Sequence, residues 1–187
     1  MTILRVIYFI TFKFKIMDYS KHLVLYSGGI DSTFFIESEK TAKHLLFFKG
    51  RNKEQAKVAI TNAELLDRFI NVIKRGPSHP PPPDGRKYIY KIHTLHNNYS
   101  ALTASIIALK YGMKGIVMCL NKDDAKIDTS SILKIIKPVE PGFEILLPLI
   151  NISAKEIREK QKKSKLKMVS CTNDSNCGYC SKCVGKE

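Results

Sequence analysis

The six residues Ser27-Gly28-Gly29-Ile30-Asp31-Ser32 stand between an apolar run, His22-Leu23-Val24-Leu25-Tyr26, and a segment, Thr33 to Lys40, that can continue as a helix. An apolar run of that length suits a strand buried on both faces of a parallel sheet. The chain must therefore pass from strand to helix through two adjacent glycines. Such a passage turns several backbone N–H groups toward one point. The glycines permit positive φ and leave room for an anion to approach the backbone. The helix start adds its unpaired donors and the positive end of its dipole. Ser27 and Ser32 place hydroxyls at the two ends of the loop. A cradle for phosphate is the reading these features favour, against an ordinary strand-to-helix turn capped by Asp or Ser. It is not a Walker loop, because no Gly-Lys-Ser or Gly-Lys-Thr follows.

Along the rest of the chain, strands and helices alternate, which predicts a doubly wound parallel α/β sheet. Ala42 to Phe48 reads as the second strand, stopped by Gly50. Residues 53–74 carry apolar positions at Ala56, Ile60, Ala63, Leu66, Phe69, Ile70 and Ile73, a spacing that predicts one long amphipathic helix. Gly76 to Gly85 holds four consecutive prolines, which remove backbone donors and predict a stiff loop. Lys87 to His93 alternates and reads as the third strand; His93 and His96 near its end read as strand-end or loop residues. Residues 99–111 are small and apolar nearly all round and predict a buried helix capped by Gly112. Lys114 to Leu120 makes a fourth strand, with Asn121-Lys122-Asp123-Asp124 at its carboxyl end, where open α/β sheets bind ligands. Phe143 to Leu149 reads as a further extended segment, and Ser153-Ala154-Lys155-Glu156 fits a capping box that opens the last helix.

Cys171, Cys177, Cys180 and Cys183 fall within thirteen residues as C-x5-C-x2-C-x2-C, with Gly178 where a tight turn would face N–H groups to sulfur. Four thiolates so close suit a tetrahedral, structural zinc site without an open position. Disulfides and an iron–sulfur cluster are the competing readings; five cysteines and no secretory signal argue against the first. Cys119 stands apart and reads as a buried apolar thiol. The balance of 31 Lys+Arg against 17 Asp+Glu, a net +14, favours anionic partners, nucleotide or nucleic acid. Seven of those cations lie between Lys155 and Lys167, a run that ordinarily forms a solvated helix face. No segment is apolar and long enough to span a membrane. The apolar N-terminus runs into Lys13 and Lys15 with no small-residue cleavage site after it, so a cytoplasmic location is expected. Residues 1–20 read as an extension, with Met17 an alternative start, and 21–187 as one domain that includes a knuckle over 170–184.

The string SGGIDS resembles the SGGxDS loop of the PP-loop ATP pyrophosphatases, which split ATP between the α and β phosphates to adenylate a substrate. That resemblance implies nucleotide binding along Tyr26, Ser27, Gly28, Gly29, Ile30, Asp31 and Ser32. The loop backbone and serines would hold the leaving pyrophosphate, and Asp31 would place the Mg²⁺-bound phosphates, which makes Asp31 and Ser32 the candidate catalytic residues. Together with the cysteine cluster, GIVMCLNKDD (115–124), ILLPLINISAKEI (145–157) and the Ser170-Cys171…Cys177-Gly178 ending, the chain is similar to the 7-cyano-7-deazaguanine synthase family over residues 22–183. That similarity implies ATP, Mg²⁺ and Zn²⁺ as cofactors. It implies ammonia and a small carboxylate of the 7-deazaguanine type as substrates, converted through an amide to a nitrile. Asn98 falls on a family asparagine and would join the nucleotide site, while Asn97 stands where the family has arginine. Nucleic acid is an admissible but not required partner, a membrane is not expected, and a homodimer is compatible. Two further readings stand beside this one: a PP-loop enzyme that adenylates another carboxylate or a macromolecule, and a non-catalytic relative that keeps the fold.

Overall fold

The computed structural model describes residues 17–50, 52–74 and 86–170, with side chains from residue 93 onward in the last of these. Its centre is a sheet of five strands, β1 (His22–Leu25), β2 (His44–Lys49), β3 (Phe69–Lys74), β4 (Gly115–Met118) and β5 (Glu144–Leu146). They lie in the order β3-β2-β1-β4-β5, and every neighbouring pair is parallel. β1 is the middle strand, flanked by β2 and β4, and these three interior strands carry the apolar runs. Their side chains alternate between two cores. Val24 and Val117 face one layer with Phe35, Ile36, Ala59 and Ile157. Leu23, Ile116 and Met118 face the other with Ala101, Ala104, Ala108, Ile132 and Ile136. The first layer is built by α1 (Ile30–Ser38), α2 (Lys53–Leu65) and α5 (Ala154–Gln161). The second is built by α3 (Arg86–Lys110) and α4 (Thr129–Ile136). The sheet is doubly wound, as the alternation of elements predicts.

Three expectations are corrected. The long helix over 53–74 ends at Leu65, and Phe69–Lys74 is the third strand, parallel to β2. The break is a Schellman turn: Arg68 N donates to Ala63 O at 2.8 Å and Asp67 N to Glu64 O at 3.1 Å, with Asp67 at φ 54°. An aspartate fills the left-handed position that glycine usually marks, so the sequence carries no glycine stop. The Arg68 guanidinium reinforces the turn by donating to Leu66 O at 2.7 Å. Beyond it the β-branched Ile70, Val72 and Ile73 pair with β2.

The strand expected over Lys87 to His93 is instead the first half of α3, a helix of 25 residues. No glycine or proline interrupts 86–110, so a helix nucleated in the alanine-rich second half extends by cheap propagation through residues of higher strand preference. Nor is that second half buried all round. Ala101, Ala104, Ser105 and Ala108 form a small-residue stripe against the sheet, while Tyr99, Ile106 and Tyr111 are exposed. Gly112 takes φ 64° after the helix, as expected of its cap. Residues 1–16, the proline-rich stretch within 75–85, and the four cluster cysteines lie outside the described residues.

Candidate functional site

β1 leads to α1 on one side of the sheet's midline, and β4 leads to the Asn121–Asp124 turn on the other. Their carboxyl ends meet where the strand order reverses, the place at which open α/β sheets bind ligands. A cavity of about 480 Å³ opens there. Ser27, Ile30, Asp31 and Ser32 line it from the loop, Asn97 from α3, Cys119 and Asn121 from the β4 end, and Arg158 from α5.

The loop turns three of its backbone N–H groups toward hydroxyl oxygens. Gly28 sits at φ 71°, with its would-be Cβ 3.3 Å from Gln55 O. Gly29 is the N-cap of α1 in ordinary extended conformation, and no side chain caps the helix from that position. The ordinary capped turn is therefore absent. Instead, three backbone N–H groups converge on hydroxyl oxygens: Ser27 N on Ser32 Oγ at 3.2 Å, Gly29 N on Ser27 Oγ at 3.3 Å, and Ile30 N on Ser170 Oγ at 3.5 Å. The two loop serines touch each other, Oγ to Oγ, at 3.0 Å. All three N–H contacts are longer than the usual 2.9–3.0 Å. A phosphate oxygen would accept from the same donors in shorter, charge-assisted bonds.

The expected site residues divide into groups. Ser27, Ile30, Asp31 and Ser32 line the cavity together, Asp31 in the first turn of α1, with Gly28 and Gly29 between them in the chain. The Tyr26 side chain turns into the core, 1% exposed, with its hydroxyl 3.2 Å from Thr33 Oγ1 and accepting from Asn62 Nδ2 at 3.0 Å. Burial holds that phenol above its ordinary pKa, so it stays a neutral structural group. Asn98 accepts from Asp128 N at 3.0 Å; its neighbour Asn97 lines the cavity and donates to Ala125 O at 3.0 Å. His93 also lines the cavity. Cys119 is buried, and burial, with the Asp31 charge second, pushes its thiol far above the usual range. It is no nucleophile.

The turn after β4 acts as a strut. Asn121, 3% exposed, accepts from Asp123 N at 2.8 Å, and Asp124 accepts from Asn121 N at 3.0 Å. Asp123 accepts from Ala154 N at 2.8 Å, which places a carboxylate on the first turn of α5. Ser153 and Glu156 complete the expected capping box on the same helix. This double capping fixes α5, and with it Arg158, beside the cavity.

One contribution has no local sequence signal. The segment Lys167–Ser170 lies along the loop: Val169 N donates to Gly28 O at 2.9 Å, Gln55 Nε2 to Val169 O at 3.2 Å, and Asn62 Nδ2 to Lys167 O at 2.7 Å. Among the described residues no group of three or more His, Cys, Asp or Glu side chains is placed to hold a metal ion, and no helix is long and apolar enough to cross a membrane.

No family model matches the chain, and no curated protein matches it. Among solved structures, the chain is similar to a predicted subunit of tRNA methyltransferase from Methanocaldococcus jannaschii. The two are 18% identical, with 74% of this chain and 72% of that one covered and a TM-score of 0.45.

Proposed function

We propose that the chain is a PP-loop ATP pyrophosphatase that adenylates a carboxylate, of the kind that 7-cyano-7-deazaguanine synthases carry out on 7-carboxy-7-deazaguanine with ammonia. One observation supports the reading: the SGGIDS loop presents three backbone donors in long bonds to hydroxyl oxygens, at a helix N-terminus without a local side-chain cap, beside a cavity at the sheet's switch point. The residues present fit a triphosphate. The N–H groups of Ser27, Gly29 and Ile30 and the hydroxyls of Ser27 and Ser32 hold the departing pyrophosphate, where fixed donors stabilise developing charge at no reorganisation cost. Asp31 is the carboxylate of the loop that would hold Mg²⁺, a hard cation usually bound by one or two carboxylates plus phosphate oxygens. Bound Mg²⁺ supplies charge neutralisation.

The acceptor lies against the wall formed by Asn97 and Arg158, whose guanidinium is the cation of that wall. Holding acceptor and α-phosphate together supplies the orientation that the reaction needs. No nucleophilic side chain takes part, in keeping with the protonated, buried Cys119. Zn²⁺ enters through the spacing of Cys171, Cys177, Cys180 and Cys183 alone, as a structural ion.

The test is release of AMP and pyrophosphate from Mg-ATP by purified protein with ammonium, with and without 7-carboxy-7-deazaguanine, products read by mass spectrometry. Nitrile formation is the expected result. No AMP with any acceptor would refute the reading. A second reading, adenylation of a macromolecule, is favoured by the net charge of +14 and by the exposed cations Lys155, Arg158, Lys160, Lys162 and Lys163, of which Arg158 lines the cavity. AMP formation that needs a polyanionic acceptor and falls steeply with salt would select it.

A further inference from the structure

We propose that Ser170 is a third phosphate-binding hydroxyl of this site, delivered by the Lys167–Ser170 segment as a strap across the loop. The inference rests on the nucleotide site proposed above and extends it to a residue 140 positions from the helix it serves.

The placement is over-determined. Asn62, 1% exposed, anchors the strap at Lys167 O, Gln55 holds it at Val169 O, and Val169 N returns a bond to Gly28 O within the loop itself. The Lys167 ammonium adds an ion pair with Glu54 at 2.6 Å. These ties bring Ser170 to the cavity wall, with its Oγ 3.5 Å from Ile30 N and 3.4 Å from the point where a Cβ on residue 29 would sit. The hydroxyl thus lies in van der Waals reach of the position a Cβ on residue 29 would take. Ser170 fills the role that a local cap leaves vacant, but at a distance too long for a strong hydrogen bond. A cap at 2.9 Å would compete with an anion for Ile30 N. A hydroxyl at this distance yields the N–H to a phosphate oxygen, then rotates to donate its own proton to that phosphate. Ser27 and Ser32 stand in the same relation to the other donors.

The experiment uses the full-length, metal-loaded chain with inorganic pyrophosphate as the probe, in the presence of Mg²⁺. Titration calorimetry gives the dissociation constant, and thermal unfolding is run in parallel. Ser170→Ala should weaken pyrophosphate binding about tenfold or more, the loss of one hydrogen bond to a charged group. Ser170→Thr, which keeps the hydroxyl, should recover most of that affinity. A residue that merely caps α1 would lower the unfolding temperature of Ser170→Ala and leave the affinity of the folded protein unchanged. Unchanged affinity in Ser170→Ala, whatever its stability, overturns the assignment while the loop remains a phosphate site. Failure of the unmodified chain to bind pyrophosphate or ATP at all overturns both.

Discussion

The two loop glycines are adjacent and chemically identical, yet the structure assigns them different tasks, which substitution by alanine should separate. Gly28 is at φ 71°, so Gly28→Ala forces a Cβ into the left-handed region, at a cost of roughly 1–2 kcal/mol. The new methyl would also lie 3.3 Å from Gln55 O and 3.4 Å from Ala59 Cβ, both on the rigid α2. At roughly 2–4 °C per kcal/mol for a chain of this size, the unfolding temperature should fall by about 2–8 °C. Gly29 has φ −83° and ψ 174°, which any residue adopts. A Cβ there would lie 3.2 Å from Ser27 Oγ and 3.4 Å from Ser170 Oγ, the movable ends of two side chains. Gly29→Ala should therefore unfold within a degree or two of the unmodified protein. Its methyl, however, enters the space beside the Ser27 and Ser170 hydroxyls, which accept from Gly29 N and Ile30 N. Loss of even one hydrogen bond to charged phosphate, ~1.5–3 kcal/mol, should raise the dissociation constant for Mg-ATP at least tenfold. Differential scanning calorimetry and ATP titration on both variants make the test. Equal unfolding temperatures for the two, or full ATP affinity in Gly29→Ala, would refute the reasoning.

Asp31→Ala should abolish AMP formation and leave the fold and metal content intact; full turnover in that variant would move the active site elsewhere. Asn62→Ala removes the donor to both Tyr26 Oη and Lys167 O. Tyr26 keeps Thr33, so the main loss is the Lys167 carbonyl's partner, about 1–3 kcal/mol by chemical denaturation; a neutral effect would mean that the strap is not anchored there. Cys119 should resist iodoacetamide in the native protein and react only on unfolding, as read by peptide mapping. Asp128 caps α4, and its hydrogen bonds from Ser131 and then Ser130 lower its pKa to about 2. Because the folded value is depressed, its contribution to stability is complete above about pH 4, the ordinary carboxylate range, and is lost as pH falls toward 2. Asp128→Asn should flatten that part of the stability profile, measured by thermal unfolding between pH 5 and 2.

Local chemistry governs how much of this arrangement can be read from the sequence. The strand–glycine–helix turn at 22–38 is legible because its strand, glycines, serines and helix are contiguous, and the capping box at Ser153 is legible for the same reason. The boundary after α2 is hidden because Asp67 takes a conformation that glycine normally advertises, and because Phe69, Ile70 and Ile73 continue the helical spacing of apolar residues by coincidence. The first half of α3 is hidden because alternation over seven residues cannot reveal that a strong helix downstream will extend through them. Asn98 turns its amide oxygen to Asp128 N while its neighbour Asn97 lines the cavity, because on a helix one position is a turn of about 100°.

The strap is illegible for a deeper reason, and it bears on how the site works. Its ties to the loop run through the Gly28, Lys167 and Val169 main chain, so no side-chain pattern along 167–170 records them. The donors that hold it, Gln55 and Asn62, are amides on α2, where an amide on a helix face would ordinarily meet solvent. Asn62 is instead fully buried and joins the strap to Tyr26, which follows β1, and through Tyr26 to Thr33 of α1. The loop is thus clamped from behind by a hydrogen-bonded core and from above by the strap, which leaves its donors facing the cavity with little freedom. Rigid donors are what a site that stabilises a departing anion requires, because the orientation is fixed before the charge develops. The residues that set this rigidity lie on elements distant in sequence, so a variant that loosens Asn62 should weaken pyrophosphate binding without touching any atom of the cavity.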